Sequence, residues 1–255
     1  MTEVKAKKFL GQHFLTDENI ARRIVESLSP ASHHVLEIGP GMGVLTKYLI
    51  TRENTDFRVV EIDRESVAYL HDHYPTLDVI EGDFLKIDLN TLFQERYSII
   101  GNFPYNISSQ ILFKVFDNRN RVPEVVGMFQ KEVAERVAAG PGSKTYGILS
   151  VLLSAFYNIE YLFTVNENVF NPPPKVKSAV IRLVRNDIQG LECDENLFVK
   201  VVKAGFNQRR KTLRNALRQV GLPLDGISED LLSKRAEQLP VGDFISITKA
   251  LQQCP

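Results

Sequence analysis

Residues 35–49, VLEIGPGMGVLTKYL, constrain the fold more than any other stretch. Val35, Leu36 and Ile38 form a short apolar run of strand type. Glycines at 39, 41 and 43 make a tight turn, and Val44 to Ile50 open a helix. A strand that turns on glycines straight into a helix is the opening half of a βαβ unit. With no Cβ in the way, backbone N–H groups in such a turn can approach a ligand closely.

The rhythm continues along the chain. FRVVEID (57–63), LDVIEGD (ending at Asp83), YSIIGN (97–102) and EVVGMFQ (124–130) read as four more strands. Helical patterns separate them, among them RESVAYLHDHY, stopped by Pro75. TDENIARRIVESLSP upstream has helical apolar spacing, with Thr16 or Asp17 as its cap. Strands alternating with helices predict an α/β fold, a Rossmann-like parallel sheet. After residue 130, KEVAERVAA and ILSVLLSAF read as helices around a PGSKTYG loop. FYNIEYLFTV and SAVIRLV follow with no helix between them, which predicts an antiparallel edge hairpin. From about Asn186 every pattern is helical. The expected division is therefore a 1–185 sheet domain and a small all-helical 186–255 domain.

Composition sets broad limits. Lys plus Arg and Asp plus Glu are 31 each among 255 residues, so any nucleic-acid signal must be local. Cys193 and Cys254 form no C-x-x-C pair and read as free thiols in a reducing compartment. The first fifteen residues lack a continuous apolar run, and Ile148–Tyr157 is too short to cross a bilayer. The expectation is a cytoplasmic protein without membrane association. His71 and His73, two apart on a helix, diverge, and no metal site is expected.

Glu61 ends the second strand, 22 residues after Gly39. A carboxylate there accepts hydrogen bonds from ribose hydroxyls, which predicts an adenosine-type ligand at the glycine turn, with Gly39 and Gly41 in contact. The run G-P-G-M-G-V departs from the dinucleotide pattern G-x-G-x-x-G, because its third glycine comes one residue early. EIGPGMG instead resembles the first motif of class I S-adenosyl-L-methionine-dependent methyltransferases. In that resemblance Asp83 meets the adenine amino group of the cofactor; by itself it could equally be a loop residue or a helix cap.

SIIGNFPYNISS (98–109) ends the fourth strand with an amide, a proline and two rings. An exocyclic base amine is a poor nucleophile until it pyramidalises, and acceptors aimed at its two hydrogens favour that change. The Asn102 side-chain oxygen and the Phe103 carbonyl can be those acceptors. Pro104 restricts the backbone around that carbonyl, and Tyr105 offers a stacking face. The alternative is a proline turn with two core aromatics. Asn102-Phe103-Pro104-Tyr105 fits the pattern of amino-methyltransferases.

The likeness widens to most of the first domain. KKFLGQHFLTD, VLEIGPGMGVLT, VVEID, EGDFL, GNFPYNISSQILF, MFQKEVAERVAA and VFNPPPKVKSAVIRL occur in order. Together they resemble the small-subunit ribosomal RNA adenine N6,N6-dimethyltransferase family. The resemblance implies dimethylation of two adjacent adenines near the 3′ end of that RNA, with S-adenosyl-L-homocysteine as the second product. It also implies that His13 and Leu15 line the cofactor site with Gly39, Glu61, Asp83 and Asn102. Some members carry Asn at the place of His13. Two rivals remain at this point: a large-subunit rRNA adenine methyltransferase of the macrolide-resistance type, and a non-catalytic ribosome assembly or nucleic-acid-binding factor.

Seven basic and no acidic residues lie between Val199 and Arg218, among them Arg209, Arg210, Lys211 and Arg214. They form either a phosphate-binding cluster or an ordinary solvated helix face. In VFNPPPKVK, Lys175 follows a stiff proline segment, and Phe170 either covers an extruded base opposite Tyr105 or is a core residue. The expected partner is small-subunit rRNA, free or in a pre-30S particle, met by a monomer.

Overall fold

The computed structural model describes residues 4–253. Among the described residues nine strands occur in chain order: β1 Phe14–Leu15, β2 His34–Ile38, β3 Asp56–Glu61, β4 Asp78–Glu81, β5 Ser98–Asn102, β6 Glu124–Gln130, β7 Tyr157–Val165, β8 Phe170–Asn171 and β9 Ser178–Arg185. Seven form one sheet in the order β4-β3-β2-β5-β6-β9-β7. From β4 to β6 every pairing is parallel, and β9 runs antiparallel to β6. β7 and β9 lie side by side at one edge of the sheet, as expected, with β9 next to β6. Val180, Ile181 and Leu183 on β9 are fully buried, whereas most of β7 is exposed or half-buried. The more apolar strand thus takes the inner position.

β2, β5 and β6 are buried along almost their whole length. Continuous apolar runs suit a parallel sheet covered on both faces. The order reverses between β2 and β5. That is the topological switch point, where an open sheet parts its connections and leaves a crevice at the strands' carboxyl ends.

Four helices serve this sheet: α1 Glu18–Glu26, α2 Thr46–Leu49, α3 Arg64–His73 and α4 Ser108–Asp117. Asp17 caps α1, accepting from the N–H groups of Asn19 at 2.9 Å and Ile20 at 3.0 Å. α2 is a single turn, shorter than the sequence pattern, because the glycine turn runs on before it.

The chain divides into two compact units. One runs to Ala134 and resumes at Ile159–Arg185; the other comprises Glu135–Asn158 and the chain from Asn186 on. Residues 135–158, expected with the sheet domain, therefore belong with the helices. Their α6, Ile148–Ser154, follows α5 (Lys131–Val137) and packs on α7, Glu195–Asn207. The remaining helices are α8 Leu213–Gln219, α9 Glu229–Ser233 and α10 Val241–Gln252. Arg209–Lys211, expected on a helix, lie in the turn between α7 and α8. Cys193 is a free thiol, and Cys254 lies outside the described residues. No described helix is long and apolar enough to cross a membrane.

Candidate active site

The two turns singled out in the sequence leave the sheet side by side. β2 and β5 pair Leu36 with Ile99 and Glu37 with Ile100, which sets Gly39 beside Asn102 at the switch point. Gly39, Gly41 and Gly43 have φ of 65°, 56° and 80°. A Cβ on Gly41 would come within 2.8 Å of the Phe14 ring, and one on Gly43 within 2.7 Å of the Tyr74 ring. Both the handedness and the space require glycine.

Glu61 is buried at the end of β3. Its Oε2 accepts from the Gly41 N–H at 3.1 Å, and its Oε1 accepts from the N–H groups of Ile62 and Asp63 at 2.9 Å each. Burial pushes its carboxyl above the usual range, against the pull of those three donors. One side chain thus ties the glycine turn to the neighbouring strand. Glu37 lies beneath the same turn. It is buried, accepts from Thr46 Oγ1 at 2.6 Å, and burial pushes its pKa to about 8.

Asp83 Oδ1 accepts from the Leu85 N–H at 3.0 Å, and Oδ2 stands 3.7 Å from Lys86 Nζ. Lys114, which the sequence did not single out, pins this turn from α4. Its Nζ donates to the carbonyls of Leu85 at 2.9 Å and Ile87 at 2.5 Å. Nothing in a lone lysine on an amphipathic helix signals that reach.

Asn102 Nδ2 donates to the His13 carbonyl at 2.8 Å, and no described residue donates to its Oδ1. The Phe103 ring is buried and meets Phe129 edge-on at 4.9 Å. Two glycines make its room: a Cβ on Gly101 would lie 2.7 Å from this ring and one on Gly127 2.2 Å. The Phe103 N–H donates to the Met128 carbonyl at 3.1 Å. The Tyr105 ring stacks on His13 at 5.2 Å, and its hydroxyl bonds Ser178 Oγ. His13 Nδ1 lies 2.8 Å from the Pro172 carbonyl; a carbonyl only accepts, so Nδ1 carries the proton.

His13, Gly39, Gly41, Glu61, Asp83 and Asn102–Tyr105 all line one open cleft. Leu15 lines a smaller adjoining cavity with Phe14, Gly39 and Asn102. It pairs with Phe170 between β1 and β8, and both are buried in the core with Val126 and Met128. Phe170 therefore takes the core role and shows no ring face to a base. A two-residue strand pair leaves no periodicity to read, which hid this placement.

Lys175 is exposed. In the helical unit, Arg209 Nη2 donates to the carbonyls of Lys144 and Tyr146 at 2.8 Å each, and Arg214 pairs with Glu229. Arg210 has no partner among the described residues, and Lys211 has only Gln219 at 3.3 Å. The basic run is thus divided between structural and free cations.

A family model described as ribosomal RNA adenine dimethylase matches residues 3–253. The chain belongs to the ribosomal RNA adenine dimethylase family. Among its relatives is the ribosomal RNA small subunit methyltransferase A of Cytophaga hutchinsonii, 60% identical over 98% of this chain and 99% of the relative. The protein of the same name from Bacteroides thetaiotaomicron is 56% identical over 99% of this chain and 96% of the relative. Among solved structures, a dimethyladenosine transferase from Plasmodium falciparum matches this dimethylase-family chain with a TM-score of 0.80 and 26% identity, covering 94% of this chain and 98% of that one. The 23S rRNA methyltransferase ErmE matches with a TM-score of 0.68 and 26% identity, covering 94% and 100%.

Proposed function

We propose that this protein dimethylates the N6 amines of two adjacent adenines in the 3′-terminal hairpin of small-subunit rRNA, using S-adenosyl-L-methionine. The carrying observation is Asn102: its amide nitrogen is held by the His13 carbonyl, which leaves Oδ1 as an oriented acceptor at the cleft.

The cleft fits an adenosine-type cofactor. Its glycine turn has no room for a side chain at Gly41, where a Cβ would meet the Phe14 ring, so backbone faces the cleft there, and Glu61 and Asp83 supply carboxylate acceptors on its lining. In this reading Glu61 holds the ribose, Asp83 the adenine amino group, and His13 closes the wall. When bound there, the cofactor would supply an activated methyl on its sulfonium, with S-adenosyl-L-homocysteine as the product. The Asn102 oxygen and the Phe103 carbonyl accept from the two N6 hydrogens, which moves the lone pair out of the ring plane. Pro104 and the buried Phe103 ring keep that carbonyl still. The methylated amine is strongly acidic and gives its proton to water, so no strong base is needed. Placement and oriented dipoles supply the acceleration.

Arg210, Lys211 and Arg218 in the helical unit, together with Lys175, would neutralise RNA phosphates. The reading takes the protein as a cytoplasmic monomer acting on a pre-30S particle. A large-subunit substrate is the second reading, because ErmE shares the fold. The relatives at 56–60% identity, named for the small subunit, favour the first. Labelled methyl donor offered with unmethylated small subunits, or with large-subunit RNA, decides between them. Label mapped to paired N6 positions of the small-subunit hairpin is expected. Label only in large-subunit RNA would overturn the proposal.

A further inference from the structure

Phe9 is 78% exposed, the most exposed large apolar side chain among the described residues. A phenyl ring on a loose segment would fold back onto the nearest apolar surface. This one is held outward by a braced backbone. Lys8–Leu10 form a single 3-10 turn closed by Gly11, whose φ is 67°. A Cβ on Gly11 would lie 2.6 Å from Asn106 Oδ1, so the turn sits tightly on the loop that follows Tyr105. Asn106 Nδ2 donates to the Phe9 carbonyl itself at 3.2 Å. On the other side the Lys7 ammonium pairs with Asp63, and Gln12 Nε2 donates to Asp63 Oδ2 at 3.3 Å. Leu10, Gly11, Gln12 and Asn106 all line the cleft, so Phe9 stands at its mouth. Lys8, its neighbour in the chain, and Lys5 are exposed, and neither ammonium has a partner among the described residues.

A rigid, solvent-facing aromatic ring flanked by free cations matches the way proteins hold single-stranded nucleic acid: the ring stacks a base and the cations meet its phosphates. We propose that Phe9 is a stacking platform for an unpaired base of the RNA beside the target adenine. The proposal rests on the methyl-transfer reading above. Stacking does not require a particular base, so Phe9 would hold the strand while Asn102 and Tyr105 select the amine. It would also keep a neighbouring base unstacked from the target, easing extrusion of the adenine.

The test uses the full chain and unmethylated small subunits. Phe9→Ala should weaken binding to the subunits by roughly 5- to 150-fold, the range of one lost base–aromatic stack. Phe9→Tyr should restore it, and Phe9→Leu, equally apolar but with no π face, should not. Cofactor affinity by calorimetry should match the parent in all three variants. Equal subunit binding by Phe9→Ala and the parent overturns the stacking role, and so does full rescue by Leu. A loss of cofactor affinity in Phe9→Ala overturns it too, since Phe9 would then be a wall of the cofactor site. Those results leave methyl transfer by the parent intact. A parent that does not methylate the subunits overturns the underlying reading, and this one with it.

Discussion

The Asn102 side chain donates from Nδ2 to the His13 backbone carbonyl at 2.8 Å, across 89 residues of chain. Only the nitrogen end of an amide can make that bond, so the position of the oxygen is settled by a residue near the amino terminus. His13 does three things at once: its carbonyl orients Asn102, its ring stacks on Tyr105, and its Nδ1–H donates to Pro172.

Asn102→Ala should slow single-turnover methyl transfer on the order of 10²–10³-fold, as for loss of one preorganised polar group. Asn102→Asp keeps an acceptor but cannot donate to the His13 carbonyl. Its rate should fall well below the parent's as well. Parent-like turnover by the Ala variant at saturating cofactor and RNA would refute the acceptor role.

Glu61→Ala should weaken cofactor binding by on the order of 1.5–3 kcal/mol, the cost of losing a hydrogen bond to a charged group. It also strands three backbone N–H groups, so the melting temperature should fall. Calorimetry and thermal melts read the two effects separately. Unchanged affinity would remove Glu61 from the cofactor site.

Gly127→Ala places a methyl 2.2 Å from the Phe103 ring. The ring must shift and carry the Phe103 carbonyl with it. Methyl-transfer rate should drop at least tenfold (about 1.4 kcal/mol of barrier) while cofactor affinity holds. Normal rates would show that the ring's position does not govern the carbonyl.

Glu37 is buried and its pKa is raised to about 8, so the folded chain holds its proton more tightly than the unfolded chain. Its contribution to stability is complete below about pH 4.5. It is lost as pH rises through about 8. Glu37→Gln keeps an acceptor for Thr46 and removes the titration. Melting temperature should therefore fall less between pH 6 and pH 9 in the variant than in the parent. Parallel pH curves would mean that Glu37 does not change charge in that window.

Reversing Arg210, Lys211 and Arg218 to Glu should lower RNA affinity and flatten its salt dependence, with cofactor binding unchanged. Arg209 is left alone because it pins the Lys144–Tyr146 loop and its loss would disturb the fold. RNA binding equal to the parent's would make the run a solvated face.

The strand, glycine turn, helix and acidic strand end were legible in the sequence because each is local. A period of two, a glycine at positive φ and a carboxylate one strand later leave their mark within a few residues. The same holds for Asn102-Phe103-Pro104-Tyr105, whose chemistry is carried by four neighbours. What only the tertiary structure decided is distant pairing. It set Gly39 beside Asn102, gave the Asn102 amide to His13, and made room for Phe103 with Gly127. It put Leu15 and Phe170 together in the core and Arg209 to structural use. It also joined residues 135–158 to the helices. None of these has a sequence period, because each depends on which surfaces meet once the apolar strands have been buried, and that choice belongs to the whole chain.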